Sequence, residues 1–263
     1  MTPIVFAVHC HPDDIEFTCA GTLFRLKDAG CEIHYMTVAN GGVGSMTSGV
    51  EETARIRAEE ARAAASLLGA AYHESIANDI EVFYTTELIR RLLAVVREVG
   101  PDIMLIPSPQ DYMEDHMNVS RLAVTAAFCR GMPSYPSVPP VAPIQKDVVL
   151  YHAMPHGLRD ALRHRIVPDF YVDIGPSIDR KERMLAAHRS QKAWLDSTQG
   201  MDSYLVSMRE MSAEVGAMSG RFAFAEGWRR HNHLGLSAAD TDPLFEMLGG
   251  ARARTDDPRS PVA

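Results

Sequence analysis

The sequence has few of the features that mark secreted, membrane or nucleic-acid-binding proteins. It has only four cysteines in 263 residues, and none forms a CxxC pair, which argues against a disulfide framework and for a reducing compartment. No apolar run approaches the ~20 residues that cross a bilayer. The net charge of -8 gives no basic face for nucleic acid. We therefore expect a cytoplasmic protein with neither membrane nor nucleic-acid partners.

Apolar runs that predict strands alternate along the chain with segments that predict helices. The predicted strands are residues 4–9, 31–40, 102–107, 147–153 and 170–175. The predicted helices are residues 18–29, with Thr18 as cap, then 51–68, 86–98, 117–130, 177–193 and 203–214. This alternation predicts an α/β fold, with a Rossmann-like, mostly parallel sheet flanked by helices on both faces.

The length and composition of the chain suit a single domain. With 46% hydrophobic residues, we expect one domain over residues 1–249 and a disordered tail over residues 250–263. The proline-rich stretch at residues 132–143 cannot form regular structure and is predicted to be an irregular loop.

Polar side chains gather where three of the predicted strands end. The stretch "HPDD" (11–14) follows the first strand, "GGVGS" (41–45) follows the second, and "PSPQDYMEDH" (107–116) follows the third. In open parallel sheets, ligands bind in the crevice at the carboxyl ends of the strands. We therefore expect these three loops to converge on one crevice.

His11, Asp14 and His116 are candidate metal ligands in these loops. Imidazole and carboxylate suit zinc, and a catalytic zinc takes three protein ligands and leaves one position open. Asp13 stays free beside such a metal, where it could act as a general base. From the residues alone a second interpretation remains open, because a short turn with two carboxylates is also typical of a helix cap.

Several spaced motifs together resemble the zinc-dependent LmbE-like, or PIG-L, deacetylase family. They are "HPDD" (11–14), "GGVGS" (41–45), "R..E...A...LG" (57–69), "DH" (115–116), "FYVDI" (170–174), "AHRSQ" (187–191) and "FAEGWRR" (224–230). The resemblance covers residues 3–231, nearly the whole predicted domain. It implies an enzyme that removes N-acyl groups, usually acetyl, from amino sugars and related conjugates.

The resemblance also implies a role for individual residues. His11, Asp14 and His116 match the zinc ligands, although another divalent metal remains open. Asp13 matches the base that deprotonates the water activated by zinc and then passes the proton to the leaving amine. Arg57 matches a substrate-binding arginine, with an arginine on the surface of its helix as the alternative.

Met113 departs from the pattern of the family. Many members carry a histidine there, which the resemblance implies stabilises the oxyanion, whereas methionine has no hydrogen-bond donor. We expect His156, in "MPHG", to act as the catalytic substitute, with a solvated loop histidine as the alternative. Tyr112 and His152 are the other candidates. Two further outcomes remain open: zinc alone suffices, or catalysis has been lost.

Four more residues are assigned to the surroundings of the site. Asp79 and Tyr112 are expected to contact substrate, although Asp79 also fits an Asx turn. Asp115 and His188 are expected to stand behind the metal ligands and hold them in place. His188 is at least as typical of a buried core histidine.

Three other histidines lie near these motifs without a firm assignment. His9 could be a fourth ligand, but a buried, hydrogen-bonded histidine is the simpler interpretation. His231 and His233 are spaced like a metal pair, yet they lie beyond the shared motifs, and we expect no metal there.

We therefore expect a zinc-dependent hydrolase of linear amides that takes the N-acetyl group from an amino-sugar conjugate or a related small metabolite. One alternative is an amidase of a different natural-product or thiol-conjugate amide. The other is a metal- or sugar-binding module that has lost catalysis. The partner is a small N-acyl amine in the first two cases, and the resemblance suggests a homo-oligomer.

Overall fold

The computed structural model of the chain describes residues 2–192 and 203–252, which form an α/β fold around one mixed sheet. The strands run in the order β3-β2-β1-β4-β5-β7-β6-β8. Their bounds are β1 Ile4–His9, β2 Glu32–Thr37, β3 Ala71–His73, β4 Ile103–Ile106, β5 Val149–Ala153, β6 Phe170–Asp173, β7 Ala225–Arg230 and β8 Ala251–Arg252.

Helices pack on both faces of this sheet, as the sequence predicts. Their bounds are α1 Asp14–Thr18, α2 Ala20–Asp28, α3 Val50–Leu68, α4 Thr86–Val99, α5 Glu114–Cys129, α6 Ile178–Leu185, α7 Ser203–Ser219 and α8 Pro243–Leu248. Alternate residues of β1 serve the two cores: Val5 and Ala7 lie in one, and Phe6 and Val8 lie in the other. A strand that is buried on both faces needs an apolar run without alternation, and β1 has one.

Strands β3, β2, β1, β4 and β5 are parallel, so their carboxyl ends lie at the same edge of the sheet. Val5 of β1 pairs with Ile33 on one side and Ile103 on the other, which fixes the register of the central three strands. The predicted fold class, a mostly parallel sheet with helices on both faces, is confirmed.

The far side of the sheet is antiparallel, and its strands β7 and β8 were not predicted from the sequence. β7 lies between β5 and β6 and pairs antiparallel with both. β8 then adds a short antiparallel edge, with Ala251 paired to Tyr171. The predicted disordered tail therefore does not hold for residues 251–252, while residues 253–263 lie outside the described part of the chain.

Two predicted helices are interrupted in the structure. Residues 18–29 are split, because α1 ends at Thr18 and α2 begins at Ala20. The hydroxyl of Thr18 donates to the carbonyl oxygen of Asp14, so it closes a helical turn and does not cap a helix. The segment predicted as one helix over 177–193 is helical over Ile178–Leu185 and again over residues 189–192, with a break at residues 186–188, and residue 193 lies outside the described residues.

A buried ion pair joins β7 to the helices beside it. Lys181 of α6 is fully buried, and its Nζ lies 2.7 Å from Oε1 of Glu226 on β7. The carboxylate of Glu226 also accepts the backbone N–H groups of Gly21 and Thr22 at the start of α2. The carboxylate of Glu226 thus connects β7 with α6 and α2.

We expect Lys181→Ala to lower the free energy of unfolding by about 3–5 kcal/mol, because the charge of Glu226 would stay buried without its partner. Arg180→Ala is a matched control on the same helix. Arg180 pairs with Asp28 at the surface, where an ion pair contributes about 0–1 kcal/mol. Urea unfolding of both variants measures the difference, and equal losses would contradict this role of the buried pair.

Within the described residues, no helix is both long and apolar enough to cross a bilayer.

Candidate active site

Three side chains from two loops meet at the carboxyl edge of the parallel strands. His11 follows β1, Asp14 opens α1, and His116 lies in the first turn of α5. Nδ1 of His11 lies 3.4 Å from Oδ2 of Asp14 and 3.3 Å from Nε2 of His116. The third distance, from Nε2 of His116 to Oδ2 of Asp14, is 3.3 Å.

This triangle has the size that a tetrahedral zinc requires. Zinc binds nitrogen and oxygen ligands at about 2.0–2.2 Å, so two neighbouring ligand atoms stand about 3.3–3.5 Å apart. The three atoms therefore fit three corners of a tetrahedron, with the fourth corner left to a small molecule. Helix α5 begins three residues before its predicted start, and this places His116 in its first turn.

Carboxylates outside the triangle contact the imidazole nitrogens that are not part of it, and so orient both rings. Nε2 of His11 lies 3.1 Å from Asp79 and 3.4 Å from Asp115. Nδ1 of His116 lies 3.0 Å from Oδ1 of Asp111. Each ring can thus donate one N–H to a carboxylate and keep its other nitrogen as a metal ligand, an arrangement that is common around protein-bound zinc.

The electrostatics of the site favour a cation. Burial lowers the pKa of His116, but Asp14 and Asp111 outweigh it, and the net pKa is raised. Burial raises the pKa of Asp14, but His116 and His11 outweigh it, and the net pKa is lowered. The surroundings that favour a proton on the imidazole favour a metal cation in the same place.

Asp111 was not singled out from the sequence, although it lies in the loop that carries His116. It is buried, and its carboxylate holds both Nδ1 of His116 and the backbone N–H of Met113. The available signal was an acidic residue five positions before a candidate ligand, which is too common to be specific. Asp115, which was expected to hold a ligand, does lie beside His11.

We expect Asp111→Ala to weaken metal binding about 10- to 100-fold, the usual loss when the carboxylate behind a ligating histidine is removed. Competition against a chromophoric chelator would measure the change in affinity. Asp28→Ala is the control, because Asp28 is a surface carboxylate paired with Arg180. Wild-type affinity in Asp111→Ala would show that this carboxylate does not support the site.

Asp13 lies in the turn between the first two ligands with an unusual backbone. It occupies the N-cap position of α1 with φ 108° and ψ -22°, and its side chain does not cap the helix. Oδ2 accepts a hydrogen bond of 2.7 Å from the hydroxyl of Tyr204, and Oδ1 lies 3.5 Å from Arg57. Burial raises the pKa of Asp13, with the guanidinium of Arg57 opposing it.

Arg57 is buried, with only 4% of its surface exposed, so the alternative of a surface arginine is wrong. Its guanidinium donates to the carbonyl oxygens of Pro12 and Gly41, which joins the first two loops. Gly41 has φ +67°, and a Cβ there would lie 2.6 Å from Nη1 of Arg57. The glycine turn is thus what lets the guanidinium reach between the loops.

A cavity of about 400 Å³ opens beside the candidate ligands. Its described lining contains all the predicted site residues except Asp115 and His188. Tyr112, with 58% of its surface exposed, stands at the mouth, and its ring lies 6.1 Å from that of His156. His156 also packs edge-on against Phe17 at 5.1 Å. These two residues lie in the wall where a substrate carbonyl could be contacted.

His152 and His231 lie behind the loop of His116. Nε2 of His152 is 2.9 Å from Nδ1 of His231, and its Nδ1 is 2.9 Å from the carbonyl oxygen of Pro107. Burial lowers the pKa of His152 to about 4. His233 contacts the carbonyl oxygen of Ser237, whereas His231 contacts His152, so the two imidazoles make separate contacts.

His188 and His9 are both buried, close to the site. His188 lies 3.4 Å from the buried carboxylate of Glu16, which, with a smaller contribution from Asp13, outweighs burial and raises the pKa of His188. Its ion pair is thus with Glu16 and not with a member of the ligand triangle. His9 contacts Thr18 and Cys19, and burial lowers its pKa to about 4, as befits an uncharged core histidine.

Comparisons with known proteins agree with the geometry. A family model described as PIG-L: GlcNAc-PI de-N-acetylase matches residues 6–127, which include the whole ligand triangle. The diacetylchitobiose deacetylase of Thermococcus kodakarensis is 28% identical over 232 residues, covering 86% of this chain and 82% of that protein.

Solved structures share the architecture over almost the whole chain. The N,N'-diacetylchitobiose deacetylase of Pyrococcus horikoshii matches with a TM-score of 0.74 and 23% identity, covering 92% of this chain and 88% of that one. GalB, the 4-carboxy-2-hydroxymuconate hydratase of Pseudomonas putida KT2440, matches with a TM-score of 0.71 and 22% identity, covering 92% of this chain and 99% of that one. Because a deacetylase and a hydratase share the fold, the fold alone does not decide the reaction.

Proposed function

We propose that this chain, which carries a domain of the PIG-L (LmbE-like) family, is a zinc-dependent hydrolase. Its reaction would remove the acetyl group from an N-acetylated amino sugar or a related conjugate. The observation that carries the proposal is the triangle of His11, Asp14 and His116, whose edges of 3.3–3.4 Å suit a tetrahedral ion. Two nitrogens and one carboxylate oxygen form a donor set typical of catalytic zinc.

Zinc held by these three side chains would polarise a carbonyl oxygen and lower the pKa of a water to about 7. The first step that the chain itself performs is a proton transfer. Asp13 lies in the same turn as two ligands and lines the cavity, so its carboxylate can take a proton from the attacking water. The oxygen of that water bonds to the carbonyl carbon. As the C–N bond breaks, Asp13 returns the proton to the nitrogen, and the products are a free amine and acetic acid, which ionises to acetate at neutral pH.

His156 and Tyr112 are the groups that can replace the histidine missing at position 113. Both line the cavity, and each carries a hydrogen-bond donor. We infer that His156 contacts the carbonyl oxygen as negative charge develops on it. A positioned donor of this kind contributes about 10²–10³-fold in rate.

Asp79 was expected to contact substrate, but both of its carboxylate oxygens contact protein groups. One oxygen faces Nε2 of His11 at 3.1 Å, and the other accepts the N–H of Val43 at 3.2 Å. We infer that Asp79 mainly orients His11 and holds the glycine turn. The two hydrogen bonds described for Arg57 likewise go to backbone carbonyls, and we infer that its contribution to substrate binding is indirect.

The cavity limits the charge and size of the substrate. Its volume lies in the range of small-molecule sites. The charged side chains in its described lining, apart from histidines, are four carboxylates and one guanidinium, so an anionic substrate is disfavoured. A neutral N-acetylated sugar unit meets both limits, and a curated relative is a diacetylchitobiose deacetylase.

Acetate release tests this function. The protein, purified without chelators and analysed for zinc, is incubated with N-acetylglucosamine, N,N'-diacetylchitobiose and a panel of N-acyl amines without a sugar. We expect acetate from the sugar substrates, with an Asp13→Ala preparation as the control for contaminating enzymes. Release only from sugar-free amides would overturn the substrate class. A zinc-loaded protein that releases no acyl group from any of them would overturn the hydrolase assignment and favour a binding module.

A further inference from the structure

Tyr204 reaches the site from a part of the chain far from the ligands. It lies near the start of α7, 191 residues after Asp13, and only 3% of its surface is exposed. Its hydroxyl donates a 2.7 Å hydrogen bond to Oδ2 of Asp13, and the residue lines the cavity. None of the motifs that mark the site includes it.

The side chain of Asp13 lacks the hydrogen bond that a residue at a helix N-cap usually accepts, so another donor must hold it. An aspartate at a helix N-cap normally accepts a backbone N–H from the first turn of the helix. Asp13 sits at that position in α1 and makes no such bond. Its φ of 108° is a conformation that few non-glycine residues adopt, so the carboxylate is held away from the helix end by contacts from elsewhere.

Among the contacts that the structure gives for the Asp13 side chain, that of Tyr204 is the shorter and the better directed. Arg57 lies 3.5 Å from Oδ1, and its closer hydrogen bonds go to the carbonyl oxygens of Pro12 and Gly41. The ring of Tyr204 lies 5.3 Å from that of Phe17 in α1. Packing against the same short helix therefore fixes the hydroxyl relative to Asp13.

The direction of the hydrogen bond is also determined. Burial and the neighbouring Asp13 carboxylate raise the pKa of Tyr204 well above its ordinary value. The phenol therefore keeps its proton over the whole range in which a hydrolase works, and it is the donor.

We propose that Tyr204 is a positioning residue that holds the Asp13 carboxylate turned into the cavity and away from the N-terminus of α1. The inference rests on the proposed role of Asp13 as the base. Without the hydroxyl, the carboxylate can rotate onto the free N–H groups of the first turn of α1, where it no longer faces the attacking water.

The test compares Tyr204→Phe with Tyr151→Phe. Tyr151 is a matched control, since it is equally buried and donates a 2.7 Å hydrogen bond to Asp242, and the cavity does not include it. We expect Tyr204→Phe to lower kcat about 10- to 100-fold, the range for a hydrogen bond to a charged group, with KM and zinc content unchanged. Tyr151→Phe should keep the wild-type kcat. Equal kcat in both variants would overturn the proposal.

A double-mutant cycle separates positioning from direct substrate contact. If Tyr204 acts through Asp13, adding Tyr204→Phe to Asp13→Ala should change the residual kcat less than twofold, because the two effects are not additive for a coupled pair. A further tenfold loss in the double variant, or a rise in KM in Tyr204→Phe, would show that the hydroxyl contacts substrate instead.

Proton NMR can detect the hydrogen bond between Tyr204 and Asp13 without any enzyme assay. It therefore tests this contact separately from the proposed hydrolase function. A short, buried hydroxyl–carboxylate bond gives a slowly exchanging, downfield proton resonance. One such resonance should disappear in both Tyr204→Phe and Asp13→Ala and persist in Tyr151→Phe. If the protein hydrolyses none of the amides but shows this pattern, the hydrolase assignment fails while the contact stands. If the resonance survives in Asp13→Ala, the contact itself is refuted.

Discussion

Replacing Asp13 by alanine should lower kcat about 10³–10⁴-fold while the purified protein keeps its metal. A positioned acid or base contributes about 10²–10⁴-fold, and here one carboxylate serves both proton transfers, which places the loss in the upper part of that range. The side chain of Asp13 contacts Tyr204 and Arg57. The ligand triangle consists of three other side chains, those of His11, Asp14 and His116. Removal of the Asp13 side chain therefore leaves all three ligands in place. The measurement pairs kcat with elemental analysis on the same preparation.

Asp13→Asn is the sharper companion variant. Asparagine has the same shape as aspartate and tolerates a positive φ better than alanine does, so the turn should keep its conformation. It cannot accept a proton at neutral pH. Turnover within tenfold of the wild type in Asp13→Asn would refute the role of Asp13 as base. Loss of metal in both variants would instead move Asp13 into the ligand set.

Replacing His116 by alanine should have the opposite signature, with loss of metal and of turnover together. His116 supplies one of three ligand atoms, and two ligands do not hold zinc in a catalytic site. The loss of affinity should exceed the 10- to 100-fold expected for Asp111→Ala, since that change removes only the carboxylate behind the same ring. Elemental analysis should show far less than the one zinc per chain expected of the wild type.

His164→Ala is the control for this experiment. His164 is an exposed histidine that pairs with Asp160 on the surface, far from the loop of His116 in sequence. It should retain the metal, which excludes a general effect of removing an imidazole. A stoichiometric metal in both His11→Ala and His116→Ala would show that the triangle is not the metal site.

The parallel half of the sheet was predictable, apart from the three-residue edge strand β3, because its signals are local. β4 is apolar throughout and β1 is apolar over residues 4–8, as expected of strands that are buried on both faces. Gly69 and Gly100 end α3 and α4 in the left-handed conformation that glycine adopts most readily. The candidate ligands were found for a related reason: His11 and Asp14 follow β1 directly, and His116 opens the helix that follows β4, so the topology predicts that they meet.

β7 was missed because its residues look unlike a buried strand. It contains a glycine, a glutamate and two arginines within six residues. Tertiary contacts satisfy these charges: Glu226 meets Lys181, and Arg229 donates to Ser108 and Gln110. No pattern along the sequence indicates partners that lie 45 to 121 residues away. The contact between Tyr204 and Asp13 is of the same kind, and so is the burial of Arg57.

The left-handed backbone of Asp13 sets stability against activity at a single position. A non-glycine residue in such a region is strained by about 1–3 kcal/mol, and the side chain here is also a buried carboxylate. Glycine would remove both the backbone strain and the buried carboxylate. A selection for higher thermal stability is therefore expected to favour glycine at residue 13. Each such gain would remove the carboxylate that faces the cavity. Stabilising mutations should therefore be sought elsewhere in the fold, with residue 13 held constant.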